Sequence, residues 1–257
     1  MNHKVRGATV LSIVAERLRN IALPALKRPL VGPKEPPTKE LVQWGIKVYA
    51  FALISHVRTV LDALVKLSES ENITAAQILS RNLFEWTAHA CYSLRRLTKL
   101  MEAQDWQGAW DLLSKVATGN YWAKKHGSKY APTSTTVPID VPNSVRVGDL
   151  IEAYEEHEVE QRRRANAKDT YSLLSEFSHP NSACLQHYYD WKTSQGIEVI
   201  FCKPDAESST LPVVNWCMID LMMFLLPLLG LAADNQVAPS ITSILKEIAA
   251  MAPKVRP

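Results

Sequence analysis

The chain has 257 residues, 47% hydrophobic and 21% charged, so it carries enough apolar side chain for a sizeable core and reads as neither disordered nor fibrous. Its 29 Lys and Arg against 26 Asp and Glu leave a net charge of +3, short of the basicity of a dedicated nucleic-acid binder. Nine sparse glycines, no nucleophile elbow and no metal-ligand cluster at a standard spacing exclude the commonest signatures of a named reaction.

The charge is unevenly spread. Residues 1–68 hold eleven bases and four acids, so RNA or a small anionic ligand is expected to meet the chain there if an anion meets it at all. The four cysteines are scattered, and Cys91 and Cys217 fall in apolar helical pattern, which predicts reduced thiols and a cytoplasmic protein. Cys184 and His187, with His179 and Cys202 near them in sequence, match no standard zinc spacing, so neither a metal nor a cofactor is expected. The opening residues are charged and lack the apolar run of a signal peptide.

In chain order, residues 8–22 place Val10, Leu11, Val14, Leu18 and Ile21 on one helical face, with Pro24 as the expected stop. Four prolines between Pro29 and Pro37 predict an extended connector. Thr38 then caps a helix over 39–67 whose stripe is read as Leu41, Trp44, Val48, Phe51, Ala52, Ser55, Thr59, Asp62 and Val65, although its flanks are apolar too. Thr74 and Gln77 read as a capping box for a helix to about residue 100, with Ile78, Leu79, Leu83, Trp86, Ala90, Leu94 and Leu97 facing the core. A fourth helix is predicted from Asp105 to about Lys125.

Residues 127–148, with three prolines and a Thr/Ser cluster, predict a long loop and mark the place to look for a domain boundary. Otherwise residues 1–257 read as a single helical domain. Asp149 and Glu152 read as the capping box of an acidic helix in which Glu158–Arg162 and Glu160–Arg164 form i,i+4 pairs on a solvated face. A short helix follows over Tyr171–Ser178. Alternation around Ile197, Val199 and Phe201 predicts a small β-hairpin near 196–203. Residues 211–233 are apolar, but Asp220 interrupts them and only about thirteen apolar residues follow, against the 18 or so of a membrane span, so a buried core helix is predicted and no membrane. Asp220 must then find a hydrogen-bond partner. A last helix covers 239–251. The fold class is all-α, an irregular multi-helix bundle of about seven or eight helices.

Two polar stripes stand out. Arg81, Glu85 and His89 are spaced by four, and Tyr171, Ser175 and His179 repeat the spacing. If both stripes face inward they gather a guanidinium, a carboxylate, two imidazoles, a phenol and a hydroxyl in one pocket, able to hold an anion and move a proton. The bland alternative is an ordinary i,i+4 pair and a helix end. Pro180 turns the chain after His179, and Glu85 is its expected partner across the two helices.

The segment RNLFEWTAHACYSL, Arg81 to Leu94, resembles the R-x-L-x-E helix of bacterial proteins of the DUF5677 type, and YSLLSEFSHPN, Tyr171 to Asn181, is similar to that family's Y-x-x-L-S-x-x-x-H segment. The resemblance spans residues 40–190 and implies an all-helical protein with Arg81, Glu85, Tyr171, Ser175 and His179 as the family positions, without an activity. A more distant likeness is to the HEPN superfamily of helical bundles, which often dimerise and include metal-independent ribonucleases of toxin and defence systems. Their signature is an Arg followed closely by a His; here seven residues separate Arg81 from His89 and fourteen separate Arg164 from His179. Two functions are therefore expected in competition. The first is a helical binding or interaction protein with an internal polar pocket for a small anionic ligand. The alternative is a ribonuclease in which His179 is acid or base, Arg81 stabilises the phosphate, and Tyr171 or Ser175 donates a hydrogen bond. A homodimer fits either.

Overall fold

The computed structural model describes residues 3–30, 35–69, 73–118, 145–161, 166–178, 189–192, 198–201 and 210–251. Among these the chain forms eight helices packed into a bundle, α1 (His3–Arg19), α2 (Lys39–Glu69), α3 (Ile73–Glu102), α4 (Trp106–Thr118), α5 (Val147–Glu160), α6 (Ala167–Ser178), α7 (Thr210–Leu231) and α8 (Ala238–Met251). Between α6 and α7 lies a two-stranded antiparallel ribbon, β1 (Tyr189–Lys192) and β2 (Glu198–Phe201), with Tyr189 opposite Phe201 and Lys192 opposite Glu198. The all-α expectation holds, and β2 is the alternating segment expected as part of a hairpin.

Several boundaries differ from expectation for local reasons. α1 starts at His3 and ends at Arg19, before Pro24 can act, with the Ile21 amide bonded back to the Leu18 carbonyl. Thr38 does cap α2, its Oγ1 accepting the Leu41 amide at 3.3 Å. Thr74 does not cap α3, which already begins at Ile73, and Gln77 is buried. α4 is capped by Asp105, whose Oδ1 accepts the Gly108 amide at 2.8 Å. α5 starts at Val147 with Arg146 as a cap residue that makes no side-chain bond, so Asp149 sits inside the first turn, where it favours the helix dipole rather than closing a capping box. Most of the expected 127–148 loop lies outside the described residues.

The hub is α3, which meets α2, α4, α5, α6 and α7. It suits that place because its buried positions include the small residues Ser80, Thr87, Ala88, Ala90, Cys91 and Ser93, which let neighbours approach. Ser80 and Thr87 turn their hydroxyls onto the carbonyls of Ala76 (2.7 Å) and Leu83 (2.9 Å) in the preceding turn, so they are buried without an orphaned donor. The expected stripe of this helix needs one correction: Ile78 is 45% exposed.

The stripe read for α2 holds only in part: Leu41 and Phe51 are buried and Val65 packs against the core. Ala52, Ser55 and Thr59 face solvent, whereas Val42, Ile46, Tyr49, Leu53, Val57, Val60 and Leu64 are buried. A helix apolar around most of its circumference offers no unique stripe, and its neighbours α1, α3, α4 and α7 set which side is covered. Gly45 marks the closest approach to α4, where a Cβ would stand 3.0 Å from Leu113 and 3.1 Å from Trp110.

By length and composition Lys39–Leu67 and Val213–Leu231 could each cross a membrane; about half of each is buried inside the bundle. α7 carries Met218, Leu221, Met222, Leu225, Leu228 and Leu229 into the core. It ends in a Schellman turn, with Ala233 at φ 51° and the Asp234 amide on the Leu229 carbonyl at 2.9 Å. Asp234 Oδ1 then accepts the amides of Gln236 (3.1 Å) and Val237 (2.7 Å) to start α8, and its Oδ2 lies 3.2 Å from Lys47 Nζ of α2. Burial raises the Asp234 carboxyl, but the Val237 amide and the Lys47 ammonium outweigh it and hold the pKa below its ordinary value.

Candidate functional site

Each step of four along a helix advances about 400°, so Arg81, Glu85 and His89 drift by about 40° per step. Over two steps that drift hands His89 to a different neighbour. Arg81 and Glu85 face α6, where Arg81 Nε donates to Glu85 Oε1 at 3.0 Å and Nη2 donates to the Tyr171 hydroxyl at 3.0 Å. The guanidinium carbon lies 5.2 Å from the Tyr171 ring centroid, and Tyr171 stacks on Phe84 with centroids 6.3 Å apart. Partial burial lowers the Arg81 pKa, but the Tyr171 hydroxyl and Glu85 reverse this and raise it, so the cation is fixed in place. Ser175 stands one turn beyond Tyr171 and donates to its carbonyl at 2.7 Å. His179 lies outside the described residues, as does its expected link to Glu85.

His89 turns toward α2 instead. Ser93 Oγ donates to the Tyr49 hydroxyl at 3.2 Å, and Tyr49 in turn lies 2.7 Å from His89 Nδ1, so the phenol proton is directed onto the imidazole. Tyr49 and Ser93 are buried. Burial drives the His89 pKa down to about 4 and pushes the Tyr49 phenol up, so both groups are neutral. The Trp86 ring sits between two imidazoles, 5.2 Å from His89 and 4.9 Å from His56, and His56 Nε2 lies 2.9 Å from Asn82 Oδ1. The expected single pocket is thus divided: Arg81, Glu85, Tyr171 and Ser175 gather at α6, and His89 does not join them. Sequence reasoning missed Tyr49, His56, Asn82, Trp86 and Ser93. Their signal was the matching spacing of Tyr49 and His56 on α2 with Asn82, Trp86, His89 and Ser93 on α3.

A third polar cluster is buried in the core. Tyr154 donates to Asp220 Oδ2 at 2.6 Å, both groups buried, which supplies the partner that Asp220 was expected to need. Around them Tyr154 stacks on Trp216 at 5.5 Å and meets Phe84 and Phe224. Glu158, expected on a solvated face with Arg162, is buried here, because α5 turns Leu150, Ile151, Tyr154 and Glu158 inward. Glu160 and Glu156 pair with Arg95 of α3, at 2.8 and 3.4 Å, and Arg162 to Arg164 lie outside the described residues. Cys91 and Cys217 are free and buried; burial pushes the Cys91 thiol up to about 12 and the Cys217 thiol up as well, so both act as packing groups.

Several bases of the first quarter have intramolecular partners, two of them acids from outside it. Arg17 pairs with Glu247 (3.0 Å), Arg19 with Asp62 (2.6 Å) and Lys47 with Asp234, while Arg58 caps the Ile21 carbonyl and Arg28 lies over Trp44. Among the described residues no three His, Cys, Asp or Glu side chains could hold a metal ion; Cys184, His187 and Cys202 lie outside them. No family model matches the chain, nor does any curated protein or solved structure, so the likeness of residues 81–94 and 171–181 to the DUF5677 type rests on those two motifs alone.

Proposed function

We propose that the protein is a non-enzymatic helical binding or interaction protein in which the Arg81–Glu85–Tyr171 face between α3 and α6 recognises a small anionic ligand. One observation carries the reading: a guanidinium aligned by a carboxylate and a phenol, with its side chain 24% exposed, stands where two helices meet. A phosphate or carboxylate would compete with Glu85 for that fork, and Tyr171 would hold the guanidinium plane during the exchange. The part-buried, neutral His89 is poorly placed for proton transfer, which favours binding over catalysis.

Inorganic phosphate is expected to raise the melting temperature, with the shift lost in R81A and enlarged in E85Q, where the competing charge is gone. A phosphate shift that persists in R81A overturns the reading. RNA cleavage that survives EDTA and disappears in R81A and H179A would replace it with the HEPN-like ribonuclease. Free, buried thiols at Cys91 and Cys217 support a reduced, cytoplasmic protein, and burial of Asp220 against Tyr154 supports α7 as a core helix without a membrane role. Sedimentation equilibrium tests the proposed homodimer.

A further inference from the structure

The seam between α2 and α3 has two walls with the same helical spacing. On α2, Ala52, His56 and Thr59 stand at i, i+4 and i+7; on α3, Asn82, Trp86 and His89 do the same. Ala52 and Thr59 are small and exposed, and the Thr59 hydroxyl is turned back to the Ser55 carbonyl at 3.3 Å, so this wall is low beside the half-buried indole. Both imidazoles are held from behind, His89 by the Ser93–Tyr49 relay and His56 by Asn82.

The hydrogen bonds fix what the front of the seam offers. Tyr49 donates to His89 Nδ1, which leaves His89 Nε2 as an N–H donor; His56 Nε2 donates to Asn82 Oδ1, which leaves His56 Nδ1 as an acceptor. The Trp86 indole supplies a second N–H. His56, Trp86 and His89 are part-buried, and among the described residues no hydrogen bond occupies these three nitrogens. Two donors, one acceptor and three ring systems about 5 Å apart form a polar aromatic surface.

We infer that the α2–α3 seam is a second binding site, distinct from the Arg81 face, for a neutral planar heteroaromatic molecule such as a free nucleobase. Neutrality follows from the surroundings. Among the described residues no cation bonds to His56, Trp86 or His89, so the seam offers an anion no countercharge. Two imidazoles without a third ligand group are too few for a structural metal site. Planarity follows from the indole flanked by two imidazoles, on which a ring can stack while its edge exchanges hydrogen bonds.

The test is titration of the full chain with adenine, guanosine, cytosine and uracil, read by NMR on the indole N–H and histidine ring signals. At least one is expected to shift the signals of Trp86, His56 and His89 saturably, with dissociation constants of roughly 10 μM to 1 mM for so small a ligand. A52W, which fills the low wall at an exposed position, and W86F, which removes the indole N–H, should each weaken binding about tenfold, roughly one hydrogen bond's worth. Circular dichroism and melting of A52W should stay unchanged. No saturable shift with any of the four overturns the proposal. So does binding that both variants leave intact, or tighter capture of benzoate or phosphate at the same signals. R81A should leave nucleobase binding unchanged, which separates this site from the anion face.

Discussion

The two flanks of α3 hold polar clusters of opposite character. Toward α6, Arg81, Glu85 and Tyr171 form a charged, part-exposed set; toward α2, Ser93, Tyr49 and His89 form a neutral relay buried at Ser93 and Tyr49. Arg81 and His89 are only eight residues apart on one helix, so composition does not distinguish the flanks. What distinguishes them is water. A charged pair that keeps solvent contact contributes little, because both partners are nearly as well served in water. A buried relay of neutral groups contributes through the penalty of breaking it.

The largest consequence concerns pH. The His89 pKa is lowered to about 4 in the fold, below the ordinary 6.5, so the unfolded chain takes up the proton first. Its stability term is full above the unfolded value and is lost as pH falls from 6.5 toward 4, up to about 3 kcal/mol. Urea unfolding between pH 7 and 4 should show this fall, and H89Q should flatten it; an equally steep fall in H89Q would assign the titration to other groups.

Next in size is the paired removal of two phenol hydroxyls. Y49F strands both His89 Nδ1 and Ser93 Oγ inside the protein and should cost about 2 kcal/mol, whereas Y171F, beside solvent, should cost about 0.5 kcal/mol. Equal losses in chemical denaturation would erase the contrast between the flanks. Smaller still is the coupling between sites. R81A and Y171F share a bond and should show a coupling of about 0.5 kcal/mol in a double-mutant cycle, while R81A and Y49F should add. The smallest effect is that of salt: about 0.5 M NaCl should reduce the Arg81–Glu85 contribution and leave that of Tyr49 unchanged.

Much of this arrangement was legible, and the misreadings have identifiable causes. Periodicity located the helices because each has apolar side chains at three-and-four spacing. It could not phase α2, where Ala52 and Leu53 look alike in sequence and only the packing of α1, α3, α4 and α7 tells them apart. The separation of His89 from Arg81 was implicit in the 40° drift, but which neighbour lies at the far end of that drift is a tertiary fact. The need of Asp220 for a partner was readable from its apolar setting; that Tyr154 would meet it was not. Glu158 was misread because its charged neighbours suggested a solvated face, and the inward side of α5 is marked only by Leu150, Ile151 and Tyr154 at helical spacing.

The turn after α7 has a consequence for the order of events in folding. Asp234 makes its bonds to the Gln236 and Val237 amides within its own turn, so they need almost no loop closure and can form as soon as α7 and α8 do. Its contact with Lys47, like the nearby bond from Gln43 Nε2 to the Leu231 carbonyl 188 residues away, closes a loop of most of the chain and must come late. One carboxylate is therefore used twice at different stages, first as a local cap and then as a clasp on α2. Its depressed pKa means that acid below the ordinary carboxylate range weakens both uses together, whereas K47M removes only the clasp. That variant should leave the refolding rate nearly unchanged and hasten unfolding, so the clasp serves mainly to lengthen the lifetime of the folded chain.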